Sequence, residues 1–173
     1  MLKGFAPIIA KQPRVMILGS MPSVTSLDKQ EYYGFAHNRF WKILHAQFGM
    51  PIATYEQKKA IILTHHMILW DVIGECEREG SLDSAIRNEK VNPIDELLEA
   101  YPEISIIICN GRKSYELFQK HFAHLDKQVI YLPSTSNANR TIKEDALFAK
   151  WMQVVSAYAS LPSYIAIIIA LSS

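Results

Sequence analysis

Three polar stretches hold the residues of this 173-residue chain best suited to chemistry. They are Gly19-Ser20-Met21-Pro22-Ser23, Ala36-His37-Asn38-Arg39-Phe40-Trp41 and Leu132-Pro133-Ser134-Thr135-Ser136-Asn137-Ala138-Asn139-Arg140. The first and third each follow an apolar run that reads as a buried strand, Val15–Leu18 and Val129–Leu132. Each then breaks into small residues and proline, which end a sheet and leave backbone N–H groups to face a ligand. The middle stretch adds an amide, a cation and aromatic faces. Such a set suits a flat, hydrogen-bonding heterocycle joined to a phosphodiester.

Single residues carry competing readings. Asn38 is either a functional amide or the N-cap of a helix beginning near Phe40. Trp70-Asp71 ends another apolar run; there the carboxylate either accepts a ring N–H of a base or sits in a structural salt bridge. Asn110 either meets the same ligand or is half of an Asn-Gly turn. Tyr33 and Phe35 offer rings for stacking, worth ~1–3 kcal/mol per base, whereas Phe40 and Trp41 read as core anchors. Ser134, Thr135, Ser136, Asn137 and Asn139 can bond phosphate oxygens, with Arg140 adding charge. The plain alternative is a Ser/Thr-rich turn ahead of a helix cap at Thr141.

In order along the chain, these motifs resemble the uracil-DNA glycosylase superfamily, and within it the hypoxanthine-DNA (deoxyinosine) glycosylase branch, family six. The resemblance runs through Gly19–Ser23, Tyr32-Tyr33-Gly34 into Asn38-Arg39-Phe40-Trp41, Leu69–Val72, Cys76–Asp83, Asn110-Gly111 and Leu132–Asn139, up to about Trp151. It implies a glycosylase-like α/β fold, DNA carrying a deaminated base as partner, and hydrolysis of the N-glycosidic bond of hypoxanthine, uracil or xanthine in base excision repair. It also implies Asn38 as the catalytic residue, its oxygen accepting a hydrogen bond from water while its NH₂ holds the substrate. Gly19, Ser20 and Met21 grip the base in this picture, although many relatives carry Asp or Asn in that loop to orient the water. Phe35-Ala36 stand where the branch usually has His-Pro. Arg78, Ser81 and Asp83 form a loop that shapes the pocket. No lysine stands in these motifs, so a Schiff-base nucleophile is not expected. A non-catalytic nucleic-acid or nucleotide-binding module is the alternative, with a hydrolase of free nucleosides as a third reading.

Positioning these residues requires strands that end beside one another. Apolar runs at Val15–Leu18, Met67–Trp70, Ile104–Cys109 and Val129–Leu132 are continuous rather than alternating, as in strands covered on both faces. Helices are predicted from Phe40 to Phe48, from a Thr54/Gln57 capping box, from Asn92-Pro93, over Arg112–Phe122 and from Thr141. The last is predicted to bury Leu147, Trp151, Val154, Val155 and Tyr158 along one stripe. The alternation predicts a three-layer α/β/α sandwich around a mostly parallel four-stranded sheet, with the ligand beyond the carboxyl ends of the strands.

The length predicts one domain, residues 1–160, followed by an apolar tail of unknown role, 161–173. The run Tyr164–Leu171 is far short of the ~20 residues that span a bilayer. A net charge of +1 excludes a bulk DNA-coating protein. The two cysteines, Cys76 and Cys109, fit reduced thiols in a cytoplasmic protein and are too few for a four-cysteine iron–sulfur cluster. The six histidines have no metal spacing. The expectation is therefore a cytoplasmic monomer, without signal peptide, cofactor or metal.

Overall fold

The computed structural model describes residues 1–159 and 171–172. Its centre is a five-stranded sheet in the order β2 (Ile8–Ile9), β4 (Met67–Asp71), β3 (Val15–Gly19), β7 (Ile106–Asn110) and β8 (Gln128–Leu132). The four predicted strands form its parallel body, and β2 adds an antiparallel edge against β4. Every residue of β3, β4 and β7 is buried, as their unbroken apolar sequences require.

Helices cover the sheet. The helices α2 (Phe40–Phe48), α3 (Tyr55–Thr64) and α5 (Arg112–Phe122) lie where the sequence predicts them. Gly49 ends α2 at φ 68°, and the Thr54–Gln57 capping box opens α3. The first turn of α5 is tied to the sheet by the Ser114 hydroxyl, which donates to the Leu18 carbonyl at 2.8 Å. Pro93 is the N-cap of α4 (Ile94–Ala100) rather than its first residue. The last helix, α6 (Glu144–Ala159), starts beyond Thr141. Leu147, Trp151 and Val155 are buried along it as expected, while Val154 is half-buried and Tyr158 faces out.

Two features depart from the expected layout. A short helix, α1 (Val24–Lys29), follows the first loop, capped by the Ser23 hydroxyl. A second, antiparallel sheet joins β1 (Leu2–Lys3), β5 (Ile73–Glu77) and β6 (Arg87–Val91). Its β5–β6 register slips twice, and the β5–β6 connection forms one wall of the site. The predicted apolar tail, 161–173, lies outside the described residues apart from Leu171 and Ser172. Among the described residues no helix is long and apolar enough to cross a membrane.

Candidate active site

Beyond the carboxyl ends of β3, β4, β7 and β8 opens a cavity of about 810 Å³, lined from both loops. The size is within the range of ligand pockets, about 300–1,000 Å³. It brings together Gly19, Ser20, Met21, Tyr33, Phe35, Asn38, Asp71, Asn110, Ser134, Thr135, Ser136, Asn137 and Asn139.

One wall is charged. In the parallel register Gly19 stands beside Asp71, and a side chain on Gly19 would collide with Asp71 Oδ1 and approach the Tyr33 hydroxyl to 2.8 Å. Only glycine lets the two strand ends close this tightly. Asp71 is 4% exposed, and its Oδ2 is buried without a hydrogen-bond partner among the described residues. Burial, reinforced by the nearby Asp83 carboxylate and opposed by Arg78, raises its pKa to about 7. The predicted salt-bridge alternative for Asp71 finds no ion pair among the described residues.

The Ser20 hydroxyl donates to Asp83 Oδ1 at 2.7 Å, the Arg78 guanidinium to the Pro22 carbonyl at 2.6 Å and the Val24 N–H to the Ser81 hydroxyl at 2.9 Å. The 78–83 segment therefore clamps the first loop, the shaping role expected of it.

A second group of lining residues, Asn38, Asn110 and Thr135, is neutral. Asn110 donates from Nδ2 to the Tyr33 hydroxyl (3.1 Å) and to Thr135 Oγ1 (3.0 Å), while its Oδ1 accepts from the Thr135 N–H (3.0 Å). Thr135 Oγ1 in turn donates to Asn38 Oδ1 at 2.9 Å, which also accepts the Phe40 N–H at 2.9 Å. Both lone pairs of the Asn38 oxygen are thus occupied. Its Nδ2 has no protein partner among the described residues. The expected acceptance of a water by this oxygen is thereby corrected: Asn38 meets the cavity as a donor. Arg39, not Asn38, is the N-cap residue of α2, although the Asn38 side chain does satisfy the first helical N–H.

Several expected contacts change character. Thr135, predicted to touch phosphate, is fully buried, and its carbonyl accepts from both the N–H (3.0 Å) and Nε (3.2 Å) of Arg39. Asn110 has spent both amide protons inside the protein, leaving it none to donate to a base. Trp70 lies outside the cavity: successive strand residues face opposite ways, and its indole donates to the Phe5 carbonyl at 3.0 Å. Tyr33 packs its ring on Phe40 (4.2 Å between centroids), and burial with the nearby Asp71 raises its phenol pKa. Phe35 is the exposed ring.

Within the second loop, the Ser134 and Ser136 hydroxyls accept the N–H groups of Ser136 and Ala138 (3.2 Å each), which leaves each hydroxyl proton to be donated outward. Asn139 braces the loop, donating to the Ser134 carbonyl (3.1 Å) and accepting from Thr141. Arg140 is exposed at the margin. Gly111, at φ 96°, lets this loop approach α5, with a Cβ there 3.1 Å from that of Ser134.

Sequence reasoning missed two contributions. The Arg39 guanidinium, 9% exposed, fastens the second loop by donating to the carbonyls of Thr135 and Ser136 (2.6 Å for the latter). Arg112 and Lys113 line the cavity from the first turn of α5, so a lysine does stand near the site. Their position directly after the Asn-Gly strand end was the available signal. Among the described residues no three His, Cys, Asp or Glu side chains gather as a metal would need.

The parallel sheet, the cavity at its carboxyl ends and the amide-and-carboxyl lining define an α/β protein with a polar ligand pocket. The profile of the Uracil DNA glycosylase superfamily matches residues 6–156, and the chain belongs to that superfamily. It is 34% identical over 145 residues to a hypoxanthine DNA glycosylase of Methanosarcina acetivorans, covering 83% of this chain and 91% of that protein. It is 31% identical over 140 residues to a hypoxanthine DNA glycosylase of Methanosarcina barkeri, covering 80% and 88%. A solution NMR structure from Methanosarcina acetivorans, assigned provisionally as a uracil DNA glycosylase, superposes with a TM-score of 0.77 at 34% identity, covering 88% of this chain and 94% of the other.

Proposed function

We propose that this chain is a monofunctional DNA glycosylase that removes hypoxanthine in preference to uracil, and uracil in preference to xanthine, leaving an abasic site in base excision repair. The observation that carries the reading is the Asn38 amide, its oxygen held by Thr135 and Phe40 and its NH₂ without a protein partner among the described residues, in a cavity that the buried Asp71 carboxyl also lines. Membership of the superfamily and the names of the two relatives support it.

In this reading a damaged base, cheaper to unstack than a paired one, swings into the cavity and lies against Phe35. Asp71 reads its edge. Hypoxanthine and uracil both present a ring N–H beside a carbonyl, and a neutral carboxyl offers the matching acceptor and donor. A pKa of about 7 makes that form abundant near neutrality. The Asn38 NH₂ donates to the base as negative charge builds on it. The Ser20 carbonyl is turned to the Ile73 N–H at 3.1 Å, so the trans peptide directs the Met21 N–H the other way, as a second donor. The sugar departs as an oxocarbenium-like ion, captured by water without a strong general base, which an amide cannot be.

Ser134, Ser136, Asn137, Asn139 and Arg140 meet the DNA backbone. The enzyme acts as a cytoplasmic monomer without an iron–sulfur cluster, for which the two cysteines of the chain are too few.

The test is a panel of oligonucleotides carrying one hypoxanthine, uracil or xanthine, in single strands and opposite each base, treated with alkali after incubation. Strand breakage fastest at hypoxanthine, with no borohydride-trapped protein–DNA complex through Lys113, is the expected result. Binding without breakage would make the chain a recognition module, and cleavage of free inosine would make it a nucleoside hydrolase.

A further inference from the structure

We propose that Thr135 is a positioning residue, whose buried hydroxyl fixes which end of the Asn38 amide faces the cavity. The inference rests on the reading of Asn38 given above and extends it to a side chain that touches no substrate.

The argument is one of proton direction. Asn110 Nδ2 can only donate, so at 3.0 Å from Thr135 Oγ1 it forces that hydroxyl to accept and to send its single proton elsewhere. The acceptor within reach is Asn38 Oδ1, at 2.9 Å. Asn110 cannot turn over, because its own oxygen accepts the Thr135 main-chain N–H at 3.0 Å. Direction therefore passes from a backbone N–H to Asn110, from Asn110 to the Thr135 hydroxyl, and from there to Asn38. Reversing Asn38 would press its NH₂ against two donors, the Thr135 hydroxyl and the Phe40 N–H.

The geometry is braced independently. Thr135 is fully buried, and Arg39 holds its carbonyl from two atoms. Every group in the relay is an amide or hydroxyl, so the orientation of Asn38 is insensitive to pH. A buried network of this kind specifies one arrangement because each bond within it has one donor and one acceptor, and reversing any member would set like against like.

The experiment is a double-mutant cycle read by single-turnover excision from a deoxyinosine oligonucleotide. Thr135→Val keeps the shape and removes the hydroxyl; it is expected to slow excision about tenfold or more. Thr135→Ser restores the donor and is expected to recover most of the rate. In an Asn38→Ala background, Thr135→Val should cost nothing further. An equal additional loss in that background, or a Ser variant as slow as Val, would show that Thr135 serves only the loop, and overturns the inference while leaving Asn38 intact. Wild-type excision by Asn38→Ala alone would instead overturn the reading of Asn38, and this inference with it. Should the Val variant fail to fold, Thr135→Cys, of similar size but a far weaker donor, takes its place in the same cycle with the same expected outcomes.

Discussion

The two walls of the cavity are built on opposite principles. On the side of the small sheet stand groups that titrate or stay charged, Asp71, Asp83 and Arg78. Two of their buried atoms, Asp71 Oδ2 and Arg78 Nη1, have no hydrogen-bond partner among the described residues. On the other side stand Asn38, Thr135 and Asn110, neutral and mutually satisfied except for one NH₂. The neutral wall holds a geometry that protons cannot alter. The charged wall holds unsatisfied polarity that a ligand can complete. Orientation and recognition thus fall to different residues, joined at the Tyr33 hydroxyl, which accepts from Asn110 and stands against Gly19.

The neutral wall should give the largest effect. Asn38→Ala is expected to fold, to bind an inosine-containing oligonucleotide, and to excise ~10²-fold more slowly in single turnover, as losing a preorganised donor does. A rate near wild type would reduce Asn38 to a satisfier of the α2 terminus.

Next comes the seam between β3 and the charged wall. Gly19→Ala drives a methyl into Asp71 Oδ1 and the Tyr33 hydroxyl. A loss of about 1–3 kcal/mol, the usual cost of overpacking, is expected in denaturant unfolding, with weakened base selection. An unchanged unfolding midpoint would mean that Asp71 is not pressed against the strand.

The charged wall should also impose the pH dependence. If neutral Asp71 reads the base, excision is greatest below about pH 7 and falls above it, by up to tenfold per unit. Asp71→Asn, close in shape to the neutral acid, should abolish that fall and redistribute preference among the three bases. Stability carries the same sign. The folded state holds the Asp71 proton more tightly than the unfolded chain, so this group's contribution declines as pH rises from 3.8 to about 7 and stays lost above. A pH–rate profile that keeps its fall in Asp71→Asn would assign the titration elsewhere.

The smallest effect lies at the rim. Arg140→Ala should weaken DNA binding alike for all sequences and reduce the salt slope by about 1, one phosphate contact. A slope equal to wild type would remove Arg140 from the footprint.

What the sequence discloses follows from how each element is stabilised. The runs 15–18 and 67–70 are legible because strands buried on both faces leave no choice of residue, whereas 129–132 is apolar although its edge strand is only partly covered and Tyr131 is exposed. Thr54 with Gln57 is legible because a capping box is local. The β5–β6 pair escapes because Ile73–Glu77 and Arg87–Val91 are charged and out of step, and β1 and β2 because two residues carry no period. The site divides in the same way. Asn38 and Asp71 are visible as polar residues in telling places. The turn of Trp70 away from the cavity into the core is not, and neither is the burial of Thr135, because a Ser/Thr-rich stretch after a strand has the composition of a surface turn. The partners that overrule it, Arg39 and Asn110, are distant in sequence.

The amino-terminal segment has a consequence for how the chain is made. Leu2 pairs with Cys76 and Lys3 with Glu75, while Ile8 and Ile9 pair with Leu69 and Ile68. The Phe5 carbonyl between them receives the Trp70 indole. Translation delivers residues 2–9 long before their partners. At ~5–20 residues per second, this segment of a nascent chain waits on the order of 4–15 s for the strands it must join. During that interval its strand-forming groups are open to any other exposed edge. Segments made ahead of their partners are thus secured only once residues 68–76 have followed, and a chain interrupted before Met67 leaves β1 and β2 unpaired.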